Sequence, residues 1–318
     1  MAEGRKHEKY DALISRCRTL TPVKTAVVHP CDETSLVGAV SAASAGIIKP
    51  ILVGPEARIR ALATSLNLNL GDLAVIDQPH SHAAATKAVD LVRERQADAL
   101  MKGSLHTDEL MSEVVRKETG IRTARRISHV FIMDVPTYPK PLFITDAAVN
   151  IFPTLEDKVD ILQNAIDLAH ALGVAHPKVA ILAAVETINS KMPSTIDAAA
   201  LCKMADRGQI TGAALDGPLA FDNAISEDAA AVKHIVSYVA GNADILLAPD
   251  LEAGNMLAKE LSFLANADAA GIVLGARVPI ILTSRADSVR TRMASCAVAA
   301  LYAHAQSVAA GGVVRLAG

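Results

Sequence analysis

The sequence predicts an α/β protein with mainly parallel sheets, and three observations support this prediction. Short apolar runs rich in Val, Ile and Leu recur without polar alternation, which is typical of strands buried on both faces. Longer Ala-rich stretches with helical spacing separate most of these runs, and such alternation favours parallel sheets. Hydrophobic residues make up 51% of the 318 residues, so a large core is available. At about 150 residues a domain, this length predicts two domains.

The predicted strands share this aliphatic composition and lie between turn residues or helix-like stretches. They span residues 25–29, 50–54, 73–76, 97–102, 129–134, 142–145, 179–184, 211–215, 244–248, 272–274 and 279–283. The predicted helices share a helical apolar period. They span residues 35–45, 56–65, 81–95, 107–119, 155–172, 194–207, 226–239, 252–265 and 288–305.

Helix-end residues support these assignments. Thr154 and Ser226 stand where N-caps are expected, with carboxylates in the first turns that follow. Gly120, Gly173 and Gly208 stand where the apolar period ends, and therefore predict helix C-termini. A passage with four prolines over residues 134–154 interrupts regular structure, and we interpret it as a crossing between domains.

Composition and charge argue against several classes of protein. The net charge is −3, so there is no basic excess to neutralise a nucleic-acid backbone. Aromatic residues are only 3% of the chain, which argues against recognition of sugars or single-stranded nucleic acid by stacking. The cysteines show no metal-binding spacing, and neither a secretory signal nor an apolar run long enough for a membrane span is present. We therefore expect a cytoplasmic protein with reduced thiols, bound neither to nucleic acid nor to a membrane.

Polar or glycine-containing groups follow most predicted strands. These groups are residues 29–32, 102–104, 145–146, 186–187, 216–218, 249–250 and 283–285. In open α/β sheets, ligands bind in the crevice at the carboxyl ends of the strands. Any one such group is ordinary because strand ends meet solvent, but together they favour a ligand-binding crevice.

The segment after the last predicted strand is the best candidate for an anion site. The chain has no P-loop, no GxGxxG after a strand, no GxSxG elbow and no HExxH motif, so a phosphate needs other ligands. Here a buried strand leads to Thr283, Ser284 and Arg285, and a helix begins near Ser288. Arg285 can bind phosphate oxygens with two donors. An equal alternative is an ordinary helix start, with Asp287 or Ser288 as N-cap and Arg285 in a surface ion pair.

Residues 99–288 resemble the phosphate acyltransferases, namely phosphate acetyltransferase and, more closely, phosphate butyryltransferase. The matching segments occur in the family's order and spacing and cover more than half of the chain. They are MKGSLHTDEL (101–110), SHVFIMDVP (128–136), TDAAVNIFPTLEDK (145–158), AAVETINSKMPSTIDAAALCKMADRGQI (183–210), DGPLAFDNAIS (216–226), ADILLAPDLEAGN (243–255) and GARVPIILTSRADS (275–288). The VETINSKMPST form and the SRADS ending look butyryltransferase-like.

The resemblance implies a fold and an activity. The fold is two three-layer α/β domains with mainly parallel sheets and an interdomain cleft, similar to the isocitrate and isopropylmalate dehydrogenases. The first domain is residues 1–143 plus 278–318, and the second, inserted domain is residues 144–277. The activity is reversible transfer of a short acyl group, acetyl or butyryl, from a CoA thioester to inorganic phosphate by direct attack in a ternary complex. Family members need no bound cofactor and are homodimers or larger.

The resemblance also implies site residues. Ser284 and Asp287 are the expected catalytic residues, and Ser284, Arg285 and Ser128 are the expected phosphate ligands. The residues expected to contact CoA or the acyl group are Lys102, Ser104, Asp146, Asn150, Asp216 and Asn255. Two positions depart from the family pattern, since Thr291 stands where the acetyltransferases have an acid and Ser112 where many members have an arginine. Asp287 is the nearest substitute for the acid.

Two other classes of function stay open at this point. Strand-end acids at Asp216, Asp222 and Asp250 are compatible with a metal- and NAD(P)-dependent oxidoreductase on the same scaffold. The departures at Ser112 and Thr291 are compatible with a non-catalytic relative that binds acyl-CoA.

Overall fold

The structure is a computed structural model that describes residues 8–283 and 288–314, with side chains as far as residue 309. The described chain divides into two compact units. The N-terminal unit contains residues 10–125 and 270–314, and the central unit contains residues 126–269 together with residues 8–9. These divisions lie earlier in the chain than the predicted boundaries at 143/144 and 277/278. The strand at Ser128–Asp134 explains the first difference, because it pairs with the strand at Leu142–Thr145 inside the central unit.

The strands and helices alternate along most of the chain. The strands are β1 (Val23–Val28), β2 (Ile48–Gly54), β3 (Ala74–Asp77), β4 (Ala99–Lys102), β5 (Ser128–Asp134), β6 (Leu142–Thr145), β7 (Lys178–Leu182), β8 (Ala214–Leu219), β9 (Ile245–Leu247), β10 (Asp268–Leu274) and β11 (Ile280–Ile281). The helices are α1 (Glu8–Cys17), α2 (Glu33–Ser44), α3 (Glu56–Ser65), α4 (Ser81–Arg93), α5 (Thr107–Val114), α6 (Leu155–Ala171), α7 (Pro193–Asp206), α8 (Phe221–Ile225), α9 (Glu227–Val232), α10 (Leu251–Phe263) and α11 (Val289–Val314).

The sheet of the N-terminal unit has the strand order β3-β2-β1-β4-β11-β10. Its strands are parallel except β10, which runs antiparallel to β11. The chain moves outward from β1 through β2 to β3 and then returns to β4 on the other side of β1. The carboxyl ends of β1 and β4 therefore form a topological switch point, the place where open α/β sheets bind ligands.

The sheet of the central unit has the strand order β5-β6-β9-β7-β8. Strands β6, β9, β7 and β8 are parallel, and β5 is antiparallel to β6. Helices α6 and α10 pack against β5 and β6, while α7 packs against β7 and β8. Fully buried aliphatic side chains such as Ile144 and Leu246 form the core between these layers.

The predicted class, α/β with mainly parallel sheets, is confirmed. Every predicted strand is present; the one at 142–145 has the predicted bounds, and the others are shifted at one or both ends. Several helices differ from the prediction. The short helix α8 was not predicted, and α11 continues to Val314, beyond the predicted end at residue 305. Helix α1 was not predicted, although Tyr10, Leu13 and Cys17 are buried along one face of it. The predicted helix at 107–119 ends at Val114, and the one at 226–239 ends at Val232, where His234 has a positive φ of 54°.

Candidate functional site

The switch point of the N-terminal unit gathers the polar residues that follow β1 and β4. Val28 and Lys102 are opposite each other at the ends of these strands, so the residues that follow lie side by side. A Cβ atom at Gly103 would lie 2.3 Å from the carbonyl oxygen of Val28, and only glycine fits there. This close approach brings Ser104 against His29.

His29 and Ser104 form the central hydrogen-bonded pair of this switch point. Ser104 Oγ donates to the carbonyl of His29 at 2.9 Å and accepts from the backbone N–H of Cys31 at 3.3 Å. Ser104 Oγ also lies 3.0 Å from His29 Nδ1, within hydrogen-bond distance. Burial, followed by the positive charge of Arg58, lowers the pKa of His29, which keeps the ring neutral.

Lys102 ends β4 and is only 6% exposed. Its ammonium donates to the carbonyl of Gly103 at 3.4 Å. The predicted CoA contacts Lys102 and Ser104 thus lie together at the switch point, although binding to CoA stays a prediction.

The end of β11 lies beside the end of β4, because Ile281 is opposite Met101. The residues that follow this strand include three predicted site residues, Ser284, Arg285 and Asp287, and these lie outside the described residues. On the far side of that stretch, Ser288 Oγ donates to Thr291 Oγ1 at 3.1 Å. A threonine hydroxyl is not a base near neutral pH, so Thr291 does not replace the carboxylate expected at its position.

The central unit gathers a second group of predicted residues where β5 begins and β6 ends. Val130 is opposite Thr145, so the antiparallel pairing places Ser128 and His129 beside Asp146. Ser128 is fully buried, and its hydroxyl accepts a hydrogen bond from Asn164 Nδ2 at 2.8 Å. Burial strongly lowers the pKa of His129, and the nearby Asp146 opposes this shift only in part.

Asp146 and Asn150 stabilise the loop after β6. One carboxylate oxygen of Asp146 accepts from the backbone N–H groups of Ala148 and Val149, at 2.9 and 3.0 Å. The other accepts from the backbone and side chain of Asn150, at 3.2 and 2.5 Å. Asn150 also donates to the carbonyl of Ile127 at 2.9 Å. These contacts account for the burial of both side chains without a ligand, and their binding to CoA stays a prediction.

The PDLEAGN segment holds the start of α10 against the same loop. Asp250 is the N-cap of α10 and accepts from the backbone N–H of Ala253 at 2.9 Å. Asn255 donates from Nδ2 to the carbonyl of Ala147 at 2.9 Å. A Cβ atom at Gly254 would lie 2.6 Å from the carbonyl oxygen of Asp146, so glycine permits this approach. The sequence motif is therefore explained by its packing.

Asp216 does not lie with these residues. The strand that contains it continues to Leu219, so Asp216 is inside β8, opposite Ala180, and not at a strand end as its sequence context suggested. Strand β8 lies at the edge of the sheet. The Asp216 carboxylate accepts a hydrogen bond from the backbone N–H of Gly217 at 2.8 Å. The bulge between β7 and β8 explains the difference, because the ladder resumes beyond it.

A separate polar group lies at the end of β7 and the start of α8. Asn223 is fully buried and donates to Glu186 at 2.5 Å. Lys233 forms ion pairs with Glu186 and Asp222, the latter at 3.3 Å. The hydrogen bond and charge of Lys233 outweigh desolvation and lower the pKa of Glu186. This group explains why the DGPLAFDNAIS segment is polar at its centre.

The two positions that depart from the family pattern are solvated or bonded locally. Ser112 is exposed on α5, and its hydroxyl donates to the carbonyl of Glu109 at 2.9 Å. Arg116, a candidate for the second basic ligand, forms an ion pair with Glu113 at 2.8 Å, while Arg122 is exposed.

Within residues 8–283 and 288–309, no three His, Cys, Asp or Glu side chains form a cluster suited to a metal ion.

Sequence reasoning missed one buried cation at the carboxyl edge of the N-terminal unit. Arg292 on α11 is 2% exposed and lies against Gly38 of α2. An isolated glycine inside a helical pattern was the one sequence signal, because such a glycine often marks a close approach by another group.

In the described part of the chain, no helix is long and apolar enough to cross a membrane.

Comparison with known proteins places this chain among the acyltransferases. The family model described as "Phosphate acetyl/butaryl transferase" matches residues 80–300. A phosphate acetyltransferase of Rhizobium meliloti is 68% identical over 93% of this chain and 93% of its own length. A phosphate butyryltransferase of Clostridium acetobutylicum is 43% identical over 93% of this chain and 98% of its own length. The expectation of a closer likeness to the butyryltransferases is thus corrected.

A solved structure supports the same assignment. A branched-chain phosphotransacylase from Enterococcus faecalis has a TM-score of 0.77 and 31% identity, over 89% of this chain and 99% of that chain. The structural similarity extends over 89% of this chain. The residues matched by the family model, 80–300, include most of the polar groups that follow the strands. This protein belongs to the phosphate acetyl/butyryl transferase family.

Proposed function

We propose that this protein transfers an acetyl group reversibly between coenzyme A and inorganic phosphate, giving acetyl phosphate and free CoA. The observation that supports acetyl over butyryl is the much higher identity to a relative named phosphate acetyltransferase. Family membership favours acyl transfer over nicotinamide-dependent oxidation. The acids that kept the oxidoreductase alternative open are engaged separately, Asp250 as a helix cap and Asp222 with Lys233.

The reaction requires one bond to form and one to break at the same carbon. An oxygen of hydrogen phosphate attacks the thioester carbonyl carbon, and the carbon–sulfur bond breaks as the tetrahedral intermediate collapses. The proton that phosphate loses ends on the CoA sulfur, so charges and atoms balance. The protein has to bind the phosphate dianion, stabilise the oxyanion, align the substrates and move that proton.

The proposed phosphate ligands are Arg285, Ser284 and Ser128. A guanidinium binds phosphate oxygens with paired donors, and a hydroxyl at a strand end adds a donor to the phosphate or the developing oxyanion. Asp287 is the proposed proton carrier, since it is the acid nearest in sequence to Arg285 and Thr291 lacks a titratable group. Support for Ser284, Arg285 and Asp287 comes from the family motif, because they lie outside the described residues.

The proposed contacts to CoA and the acyl group are Lys102, Ser104, Asp146, Asn150, Asp216 and Asn255. Support differs among them. Lys102 and Ser104 stand at a topological switch point, where ligands are expected. Asp146, Asn150 and Asn255 form hydrogen bonds that hold the loop after β6. They would therefore support a CoA-binding surface formed by this loop. Asp216, inside β8, has the least support.

The proposal includes three expectations about the protein in the cell. We expect it to work with no bound cofactor, with CoA and phosphate as its substrates. We also expect a homodimer or a larger homo-oligomer and a cytoplasmic location. These expectations come from the family resemblance, and each stays a prediction.

Release of the CoA thiol measures the proposed activity directly. Protein mixed with acetyl-CoA and phosphate should release thiol only when phosphate is present, and acetyl-CoA should be used about tenfold faster than butyryl-CoA. The control omits phosphate, which separates transfer from thioester hydrolysis. Absence of phosphate-dependent release with both thioesters would refute the activity, and faster use of butyryl-CoA would refute the acetyl preference.

A further inference from the structure

We propose that Arg292 is a positioning residue for the phosphate site, holding the end of β11 against the start of α2 through hydrogen bonds to Thr283 and Thr34. This inference rests on the proposed function, because the residue after Thr283 begins the proposed phosphate-binding pair. The sequence motifs do not include Arg292, and no role was predicted for it.

The contacts of Arg292 join two segments that are far apart in sequence. Its Nη1 donates to Thr283 Oγ1 at 2.7 Å, and its Nη2 donates to Thr34 Oγ1 at 3.3 Å. Both Arg292 and Thr283 are buried. A guanidinium is planar and presents its donors in a fixed fork, so two bonds from one group fix the spacing between their acceptors. The distance from the end of β11 to the start of α2 is therefore set by Arg292.

A carboxylate near Thr34 balances the buried charge. Thr34 Oγ1 donates to Asp32 Oδ1 at 3.3 Å, and Asp32 caps α2 by accepting from the backbone N–H of Ser35 at 2.8 Å. Burial alone would raise the pKa of Asp32, but hydrogen bonds from Ser35 and Thr34 and the charge of Arg292 lower it overall. A buried cation is costly unless it is paired, and this chain of bonds supplies the pairing.

Gly38 provides the space for the Arg292 side chain. It lies inside α2, where glycine weakens a helix relative to alanine. A Cβ atom at Gly38 would lie 2.8 Å from Arg292 Cδ and 3.4 Å from Arg292 Cβ. Those are atoms of the buried stem and not of a mobile tip, so any larger residue at position 38 would move the guanidinium. Helix α2 is thus shaped to hold Arg292 in one place.

Arg292 acts through Thr283 and not by touching phosphate. Its side chain is buried, and its Nη1 donates directly to the Thr283 hydroxyl. Thr283 is bonded directly to Ser284, so displacement of Thr283 would move the first proposed phosphate ligand. Small misplacements of such ligands weaken binding and catalysis strongly.

The test measures CoA release as a function of phosphate and of acetyl-CoA in matched variants. Arg292→Met should raise the KM for phosphate about tenfold or more, and Thr283→Val about threefold, with the KM for acetyl-CoA changed less than about twofold. The double variant should resemble Arg292→Met alone, because both changes remove the same contact. Arg292→Lys should restore part of the phosphate affinity.

Arg290→Met is the matched control on the same helix. Arg290 forms an ion pair with Asp11 at 2.6 Å on the protein surface, so its loss should leave the KM for phosphate unchanged. A second readout is the rise in Tm on adding phosphate, which should be smaller in Arg292→Met than in Arg290→Met. A merely structural role for Arg292 would lower the starting Tm without changing the KM for phosphate.

The outcomes separate the two proposals. A wild-type protein without phosphate-dependent CoA release refutes the proposed function. An active wild-type protein whose Arg292→Met variant keeps the KM for phosphate of Arg290→Met refutes the positioning role alone. If Arg292→Met does not fold, Thr283→Val and Gly38→Ala decide the question, since both perturb the same contact. An unchanged KM for phosphate in these two variants would also refute it.

Discussion

Burial of a single residue, His129, should make the stability of the whole protein depend on pH. It lies at the start of β5, almost fully buried, with its ring 4.4 Å from that of Phe131 in an edge-to-face arrangement. Its Nδ1 atom has no hydrogen-bond partner among the described residues. Burial lowers the pKa of His129 below its ordinary value of 6.5, so the folded protein holds the ring neutral.

Stability should therefore fall as pH falls below about 6.5, because the unfolded chain binds a proton there that folded His129 does not. The slope from this one group reaches about 1.4 kcal/mol per pH unit, and the contribution is fully present above pH 6.5. His129→Leu should reduce the slope of the free energy of unfolding between pH 5 and 6.5, as measured in urea. The substitution should not abolish this slope, because burial also lowers the pKa of His29. Equal slopes in the variant and the wild type would show that His129 does not titrate in this way.

At the scale of the element, α6 is a helix whose start can be predicted from its capping residues. Thr154 Oγ1 accepts from the backbone N–H of Asp157 at 3.2 Å, and the Asp157 carboxylate accepts from the backbone N–H of Thr154 at 3.0 Å. This reciprocal pair satisfies two of the donors that a helix start leaves open. Helix α6 packs against β5, β6 and β9, so its first turn supports the sheet of the central unit.

Thr154→Ala should lower the free energy of unfolding by about 1 kcal/mol, because the backbone N–H of Asp157 loses its acceptor. Urea unfolding followed by circular dichroism measures the change. Thr64→Ala is the matched control, since Thr64 lies exposed within α3 and its hydroxyl donates only to the carbonyl of Arg60. A loss no larger than that of the control would mean that water replaces the cap.

The sequence predicts elements whose own residues determine them, and it fails where distant contacts decide. Strands are recognisable because buried strands need continuous Val, Ile and Leu. Helix α1 is not, since its charged residues hide a buried face formed by Tyr10, Leu13 and Cys17. The end of α9 depends on a left-handed residue at His234, which is not a glycine and carries no local signal.

The candidate site follows the same rule. The polar residues after β1, β4 and β6 could be predicted, because the ends of parallel strands share one edge of a sheet. The position of Asp216 could not, since it depends on where a bulge shifts the pairing of β7 and β8. Arg292 could not either, because its partner Thr34 lies in a segment far away in sequence. Sequence patterns therefore locate the edge of a site better than the residues that support it.

At the scale of the whole molecule, the two units are built from the chain in different ways. All five strands of the central unit lie in one continuous segment, residues 126–269, and they pair with one another. The N-terminal unit is discontinuous, because β11 returns from the end of the chain to pair with β4. Helix α11 also returns and packs against α2 and β4. The first segment of this unit therefore lacks part of its sheet and one of its covering helices.

This difference predicts which segments of the chain fold alone. A fragment of residues 126–269 keeps all of its strand pairings and should show helical circular dichroism and a cooperative urea transition. A fragment of residues 10–125 leaves the edge of β4 and the buried face of α2 uncovered, so it should aggregate or unfold without cooperativity. Restoring residues 270–318 through a short linker controls for the cut itself and should recover the transition. A cooperative transition in the 10–125 fragment alone would show that β11 and α11 are dispensable for folding, contrary to the topology of the sheet.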